Sequence, residues 1–125
     1  MVNPMPDKPK RRRNVLVLED EPFIAMMLEE ELEALGLHVV GPVNNMQSAL
    51  LLAEMPDLDG ALLDLNINGA YATDVADKLR LRGVPFIFVT GYEPPAGLRH
   101  REVQVLRKPF TEIELRMALL SLLDK

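Results

Sequence analysis

Acidic, hydroxyl and lysine side chains stand where four predicted strands end. Glu19 and Asp20 follow the run NVLVL, Asp64 closes ALLD, Thr90 closes PFIFVT, and Lys108 follows EVQVLR. Carboxylates gathered in one cleft repel one another unless a cation neutralises them, and oxygen ligands alone favour Mg²⁺ or Mn²⁺. A carboxylate can also attack phosphorus, while a lysine and a hydroxyl can bind phosphoryl oxygens. The set therefore predicts a phosphoryl-transfer site.

Each of these residues alone has a simpler explanation. An aspartate or threonine at a strand end usually caps a turn or helix, as Asp20 and Thr90 could. Asp64 is harder to explain by structure alone, because ALLDLNI surrounds it with apolar residues where packing would favour another apolar side chain. The occurrence of all these groups at strand ends of one domain favours the functional interpretation.

The elements that must position these residues alternate between strands and helices. Five short apolar runs predict strands, and four segments with helical patterns or caps predict helices at residues 21–36, 44–55, 72–83 and 110–123. This alternation predicts an α/β fold with a parallel sheet and right-handed crossovers. A flavodoxin-like, doubly wound sheet with strand order 2-1-3-4-5 would bring the carboxyl ends together, where ligands bind in such sheets.

The segment that joins the fourth and fifth predicted strands, residues 91–102, has no helical pattern. We call it the linking segment. It contains Pro94, Pro95 and Gly97, which disfavour a helix, so we predict at most one helical turn at residues 96–100. The helix that the alternation requires there is predicted to be short or degenerate.

Composition indicates one domain with an acidic body. The chain has 125 residues, of which 48% are hydrophobic, and no cysteine, which excludes disulfides and thiolate metal sites. Residues 1–13 hold five basic residues and one acidic residue, a net charge of +4. Because the whole chain has a net charge of −5, the remaining residues carry −9. We predict a disordered basic tail at 1–13 and a domain at 14–125. We expect no direct DNA binding, no membrane association and a cytoplasmic location.

The order of these motifs resembles the receiver domain of two-component response regulators over residues 14–123. The matching residues are the acidic pair in VLVLEDE, the aspartate in ALLDLNI, the threonine in VTGY and the lysine in RKPF. The resemblance implies that Asp64 accepts phosphate from a histidine kinase or a histidine phosphotransfer protein. It implies that Asp20 binds Mg²⁺ directly, Glu19 directly or through water, and Asn66 through its backbone carbonyl. Lys108 is implied to pair with the phosphoryl oxygens.

The resemblance also implies a switch around the fourth and fifth strands. The Thr90 hydroxyl would move to the phosphate, and the peptide bond before Pro109 would be cis. Val105 stands where receivers commonly carry an aromatic residue, and we predict that Tyr92 takes over that role. Gly91 would let the backbone move at low steric cost. We predict a linking segment that is mobile without phosphate and tightens with it.

The run PFIFVTGY resembles the FAT GUY subclass of single-domain receivers, with Val89 where that motif has alanine. This resemblance implies a kinase of the HWE or HisKA2 type. Because the chain ends two residues after Leu123, we expect no fused effector domain, and output by protein contact or phosphate shuttling. Such a regulator is a signalling phosphoacceptor and not an enzyme.

Two alternatives stay open at this point. A haloacid-dehalogenase-like phosphatase also uses aspartate and Mg²⁺, but it needs a second aspartate two positions on, where this chain has Asn66, and its nucleophile lies on the first strand. A receiver-like interaction domain that is never phosphorylated is the other alternative. A nucleotide-binding module is disfavoured, since the chain has neither a G-x-G-x-x-G motif nor a Walker lysine loop.

Overall fold

Five parallel strands form one sheet, and when they are counted along the chain their order across the sheet is 2-1-3-4-5. The computed structural model describes residues 12–100 and 102–124. The sheet strands are β1 (Asn14–Leu18), β2 (His38–Val43), β3 (Leu58–Asp64), β6 (Phe86–Thr90) and β7 (Val105–Arg107), and a small antiparallel hairpin contains β4 (Asn66–Ile67) and β5 (Ala70–Tyr71). The helices are α1 (Pro22–Ala34), α2 (Met46–Leu52), α3 (Thr73–Leu81) and α4 (Glu112–Leu123). The predicted α/β fold and strand order are confirmed.

The sheet has a hydrophobic core on each face. Helices α2 and α3 cover one face, where Leu16 and Phe88 are fully buried. Helices α1 and α4 cover the other face, where Val17 and Leu119 are buried. Because both faces are covered, strand interiors read as continuous apolar runs, and a charged residue such as Asp64 within one is conspicuous.

Three helix ends follow the sequence signals. Asn45 caps α2 by accepting a hydrogen bond from the Ser48 N–H at 2.8 Å. At the start of α4, Thr111 and Glu114 make both hydrogen bonds of a capping box. After α1, Gly36 has φ +80°, a conformation that glycine adopts without steric cost.

The apolar face of α1 differs from the face that the sequence indicates. The spacing in the sequence predicts that one face of this helix holds Ile24, Met27, Leu28, Glu31 and Leu35. Of these, Met27 and Leu35 are 40% and 39% exposed. Leu28 and Leu32, which are four residues apart and therefore on one side of the helix, are the buried pair. Met27 precedes Leu28 by one residue, which rotates it by about 100° away from the sheet.

The stretch NINGAY, whose residue types predict a loop, forms a hairpin turn. Asn68 and Gly69 have φ values of 52° and 85°, and they join the two-residue strands β4 and β5. Consecutive positive φ values at Asn-Gly are typical of a tight hairpin turn. The Asn68-Gly69 dipeptide was therefore a signal that could have predicted the hairpin.

The described part of the linking segment contains turns and no helix. Hydrogen bonds from Leu98 N–H to Pro95 O, at 3.2 Å, and from Val103 N–H to His100 O, at 3.1 Å, close these turns. Strand β7 was predicted to span residues 102–107, but it begins only at Val105, since the N–H of Val103 is used in the preceding turn. The predicted absence of a regular helix agrees with this conformation.

The predicted N-terminal tail lies almost entirely outside the described residues. Of residues 1–13, only Arg12 and Arg13 are described. The Arg13 guanidinium donates a hydrogen bond to the carbonyl of Leu123, which connects the start of β1 to the end of α4. Among the residues that the structure describes, no helix is long and apolar enough to cross a membrane.

Candidate functional site

The carboxyl ends of β1, β3, β6 and β7 meet around one open cleft. Leu18 pairs with Leu63, and Asp64 pairs with Val89, so the residues that follow or end these strands share one edge of the sheet. The Lys108 N–H donates a 2.8 Å hydrogen bond to the Thr90 carbonyl and extends this edge. The lining residues of the cleft are Asp20, Glu21, Ile24, Asp64, Asn66, Thr90, Gly91, Tyr92, Lys108 and Pro109.

Three carboxylates lie close enough to share one cation. Glu19, Asp20 and Asp64 each offer an oxygen, and these oxygens lie within 4.8 Å of one another. Glu19 and Asp64 are buried, with 2% and 5% of their surface exposed. Glu19 Oε1 is buried and accepts no hydrogen bond from the described residues, although the ammonium group of Lys108 lies 3.0 Å from it. An oxygen with a free ligand position, in a cluster of three carboxylates that repel one another, fits Mg²⁺ or a similar hard ion.

Lys108 reaches across the cleft to the acidic side chains. Its Nζ lies 3.0 Å from Oε1 of Glu19 and donates hydrogen bonds to Oε2 of Glu19 at 3.1 Å and to Oδ2 of Asp64 at 3.4 Å. Glu21 accepts a further bond from Nζ at 3.4 Å. Burial alone would lower the pKa of Lys108, but the hydrogen bond and charge of Glu19, with Asp64 and Glu21, outweigh it and raise this pKa.

The environment of Asp64 disfavours its ionised form when no cation is present. The pKa of Asp64 is raised to about 8, first by burial and then by the neighbouring Glu19 and Asp20, although the charge of Lys108 opposes the shift. A cation among these carboxylates would counteract this repulsion. The site therefore contains a carboxyl group with a high pKa, together with oxygen ligands that can bind a cation and so favour the ionised form of that group.

The hairpin after β3 brings backbone groups to the carboxylates. The N–H of Asn66 donates to Oδ1 of Asp64 at 3.3 Å, and the N–H of Asn68 points to Oδ2 of Asp20 at 3.5 Å. These contacts hold Asn66, two positions after Asp64, at the rim of the cleft. The metal-binding role of the Asn66 carbonyl stays a prediction.

The Thr90 hydroxyl is engaged in its own turn. Its Oγ1 donates to the carbonyl of Tyr92 and accepts from the Tyr92 N–H, both at 3.1 Å. This is the simpler, turn-capping role that the sequence allowed. The Thr90 hydroxyl can donate a hydrogen bond to a phosphoryl oxygen only after its bond to the Tyr92 carbonyl is broken.

The remaining residues predicted for the switch lie around this turn. Tyr92 is 79% exposed at the rim of the cleft, and Val105 is half-buried against the core beneath α2 and α3. A Cβ added at Gly91 would meet no atom within 4 Å, so available space does not explain the glycine. The Lys108–Pro109 peptide bond is cis, as the resemblance implied, and the Gly41–Pro42 bond is also cis.

Ion pairs attach the linking segment to α3. Arg99 pairs with Asp77 at 3.0 Å and with Asp74 at 3.2 Å, while Nε2 of His100 lies 2.6 Å from Oδ1 of Asp77. The His100 contact lowers the pKa of Asp77. The His100 ring also meets the Phe86 ring edge-on at 5.6 Å. The sequence analysis missed this attachment, although the acidic residues recur at a three-residue spacing on α3.

Comparison with known proteins gives the same family throughout. A family model for the response regulator receiver domain matches residues 15–120. The phyllosphere-induced regulator PhyR of Methylorubrum extorquens is 36% identical over 101 residues, which cover 77% of this chain and 38% of PhyR. The chain thus spans less than half the length of the curated relatives that it matches.

Solved structures extend this similarity to the whole sheet. The solution structure of SdrG from Sphingomonas melonis Fr1 is 42% identical, with a TM-score of 0.79, and the match covers 90% of this chain and 97% of SdrG. The receiver domain of the sensor histidine kinase PA1611 from Pseudomonas aeruginosa PAO1, which holds magnesium in its active-site cleft, is 25% identical, with a TM-score of 0.75 and coverage of 92% and 100%. The chain therefore belongs to the response regulator receiver domain family of two-component signalling.

Proposed function

We propose that this chain accepts a phosphoryl group on Asp64 in a reaction that depends on a divalent cation. The observation that carries the proposal is the position of Asp64 in an acidic cluster and beside a lysine. The cluster with Glu19 and Asp20 fits a cation, and the ammonium group of Lys108 lies 3.4 Å from Oδ2 of Asp64. Phosphoryl transfer needs little beyond such positioning and charge neutralisation.

The donor is a phosphohistidine on a sensor kinase or a phosphotransfer protein. An ionised oxygen of Asp64 forms a bond to phosphorus, the phosphorus–nitrogen bond breaks, and its electron pair returns to the imidazole ring. A bound Mg²⁺ would lower the pKa of Asp64 and offset the negative charge of the phosphoryl oxygens. Glu19, Asp20 and Asp64 would hold this ion with the carbonyl of Asn66, and Lys108 would bind a phosphoryl oxygen.

Phosphorylation is coupled to the linking segment through Thr90. When the hydroxyl binds a phosphoryl oxygen, the Tyr92 carbonyl loses its donor, which is 3.1 Å away in the present structure. Tyr92 belongs to the linking segment, so the change passes along the backbone of that segment. We assign the exposed ring of Tyr92 as the aromatic group that responds, in place of Val105.

Output occurs through protein contact or through phosphate shuttling. Helix α4 supports the first route, because Ile113, Met117 and Leu120 are 73%, 63% and 66% exposed and recur every three to four residues along one side. The PFIFVTGY run supports a kinase of the HWE or HisKA2 type as the donor. Phosphotransfer from a panel of purified histidine kinases, both of this type and of others, tests the assignment.

Acetyl phosphate labelling tests the acceptor itself. We expect the wild type to gain one phosphoryl group per chain when Mg²⁺ is present and none when it is chelated. Asp64→Asn should gain none, whereas Asp124→Asn, the same change at an exposed position, should label like the wild type. Label retained in Asp64→Asn would contradict the assignment. Continuous release of phosphate from small phosphate esters would favour the phosphatase alternative.

A further inference from the structure

The ammonium group of Lys108 has no donor left for a phosphoryl oxygen. A lysine offers three N–H donors. In this structure they are donated to Glu19, Asp64 and Glu21, with Nζ–oxygen distances of 3.1, 3.4 and 3.4 Å. If Lys108 is to bind a phosphoryl group on Asp64, as the proposed function requires, one of these carboxylates must give up its contact.

Burial decides which carboxylate leaves. The side chains of Glu19 and Asp64 are 0% and 7% exposed, so neither can turn away from Lys108 into water, and both remain in the site as ligands of the proposed cation. The side chain of Glu21 is 59% exposed. Water can replace the lysine at Glu21, and an exposed ion pair is easily broken. Glu21 is therefore the contact that a phosphoryl oxygen displaces.

The backbone of Glu21 is fixed so that its side chain reaches into the cleft. Its N–H donates to Oε2 of Glu19 at 3.1 Å, and its carbonyl accepts from the Ala25 N–H at 2.9 Å. It is the N-cap residue of α1, but its side chain makes no capping hydrogen bond and instead contacts Lys108. Because the Glu21 carboxylate is not used in capping, it is available to Lys108 at the wall of the cleft.

We infer that Glu21 is a positioning residue, whose carboxylate occupies the phosphoryl-binding side of Lys108 until the phosphoryl group displaces it. While it is in place, it holds the ammonium group near Asp64. Its displacement opposes phosphoryl binding, so the residue limits how tightly the site binds a phosphoryl group. This inference rests on the proposed function and adds a role for Glu21, the acidic residue that directly follows Glu19 and Asp20 at the end of the first strand.

Beryllium fluoride, which mimics a phosphoryl group on an aspartate, tests the inference at saturating Mg²⁺. Its dissociation constant is measured by NMR titration for the wild type and for Glu21→Gln, Glu21→Asp and Glu33→Gln. Glu33→Gln is the matched control, because it removes the same charge from an exposed site on the same helix, about 18 Å along its axis. The Mg²⁺ dissociation constant is determined separately on each sample.

We expect both Glu21 variants to bind the mimic about 1.5- to 5-fold more tightly than the wild type, in line with the loss of one exposed ion pair. Glu21→Asp is decisive, since it keeps the charge but shortens the side chain beyond reach of Lys108. It also provides a favourable N-cap, so that the start of α1 is retained. The control should match the wild type. Acetyl phosphate labelling rates should change in the same direction as the affinity for the mimic.

Three outcomes overturn the inference. The first is that Glu21→Asp binds the mimic like the wild type while Glu21→Gln binds it more tightly, which would assign the effect to the charge at this position. Both variants binding the mimic like Glu33→Gln would show that the contact has no role. Weaker binding in both would show that Glu21 assists Lys108 rather than competing for it. A wild type that neither binds the mimic nor accepts phosphate would overturn the proposed function together with the inference. A wild type that does both, with variants that give one of the three outcomes, would overturn the inference alone.

Discussion

Replacing Asp64 with asparagine should stabilise the protein when divalent cations are chelated. Asp64 is buried beside Glu19, and its pKa is raised to about 8 from an ordinary 3.8. Between these two pH values the folded state retains a proton that the unfolded chain has lost. The unfolding free energy of the wild type must therefore fall as pH rises from about 4 to about 8, and it levels off above that range. An asparagine at this position does not titrate and escapes this loss.

The size of the effect follows from the shift. A difference of about four pKa units corresponds to roughly 5 kcal/mol at 1.36 kcal/mol per unit, which is an upper bound. Water entry and side-chain relaxation reduce such penalties in proteins, so we expect a gain of about 2–3 kcal/mol at pH 8. At pH 5 the gain should be well below 2 kcal/mol, because most of the titration range lies above that pH.

Urea unfolding followed by circular dichroism measures this gain at pH 5 and pH 8 with a chelator present. Asp124→Asn is the control, since Asp124 is exposed at the end of α4. Saturating Mg²⁺ should narrow or reverse the difference between wild type and Asp64→Asn, because the ion binds the native wild-type site more tightly. Equal stability of the two proteins at pH 8 in chelator, or a gain that does not depend on pH, would refute the reasoning.

The remaining predictions concern the response and the fold. Lys108→Ala should still accept phosphate or bind Mg²⁺, but the amide shifts of the linking segment on adding beryllium fluoride should shrink; an unchanged response would count against Lys108. In the wild type, ¹⁵N relaxation of residues 91–102 should show less motion with the mimic than without it, and equal rigidity in both states would contradict the switch. Asp77→Asn removes one partner of both Arg99 and His100, so hydrogen exchange near residue 98 should become faster, whereas exchange in β1 should not. Asn45→Ala removes the cap of α2 and should lower the unfolding free energy by about 1 kcal/mol in urea titrations.

The convergence of the site could be predicted because each functional residue ends or follows a buried strand. Runs such as NVLVL and ALLD are apolar on both faces of the sheet, so their ends are visible in the sequence. A parallel sheet then places all carboxyl ends on one edge. The positions of Asp64, Thr90 and Lys108 follow from this topology without any knowledge of side-chain contacts.

What the sequence did not reveal depends on distances between elements. The contact of Glu21 with Lys108 joins residues 87 positions apart, and neither residue's neighbours indicate it. The attachment of Arg99 to α3 is also a long-range ion pair. The buried face of α1 was misassigned for a local reason, since apolar residues stand on more than one side of this helix and only packing against the sheet selects among them.

The attachment of the linking segment to α3 makes its position sensitive to ionic strength. Arg99 and Asp74 are 57% and 78% exposed in their side chains, so added salt screens their attraction. Glu19 and Asp64 beside Lys108 are buried and therefore largely shielded from bulk ions. High salt should therefore loosen the segment that carries the signal while leaving the phosphoryl-binding residues in place. In such a receiver, ionic strength should affect the conformation of the linking segment more than the rate of phosphorylation at Asp64.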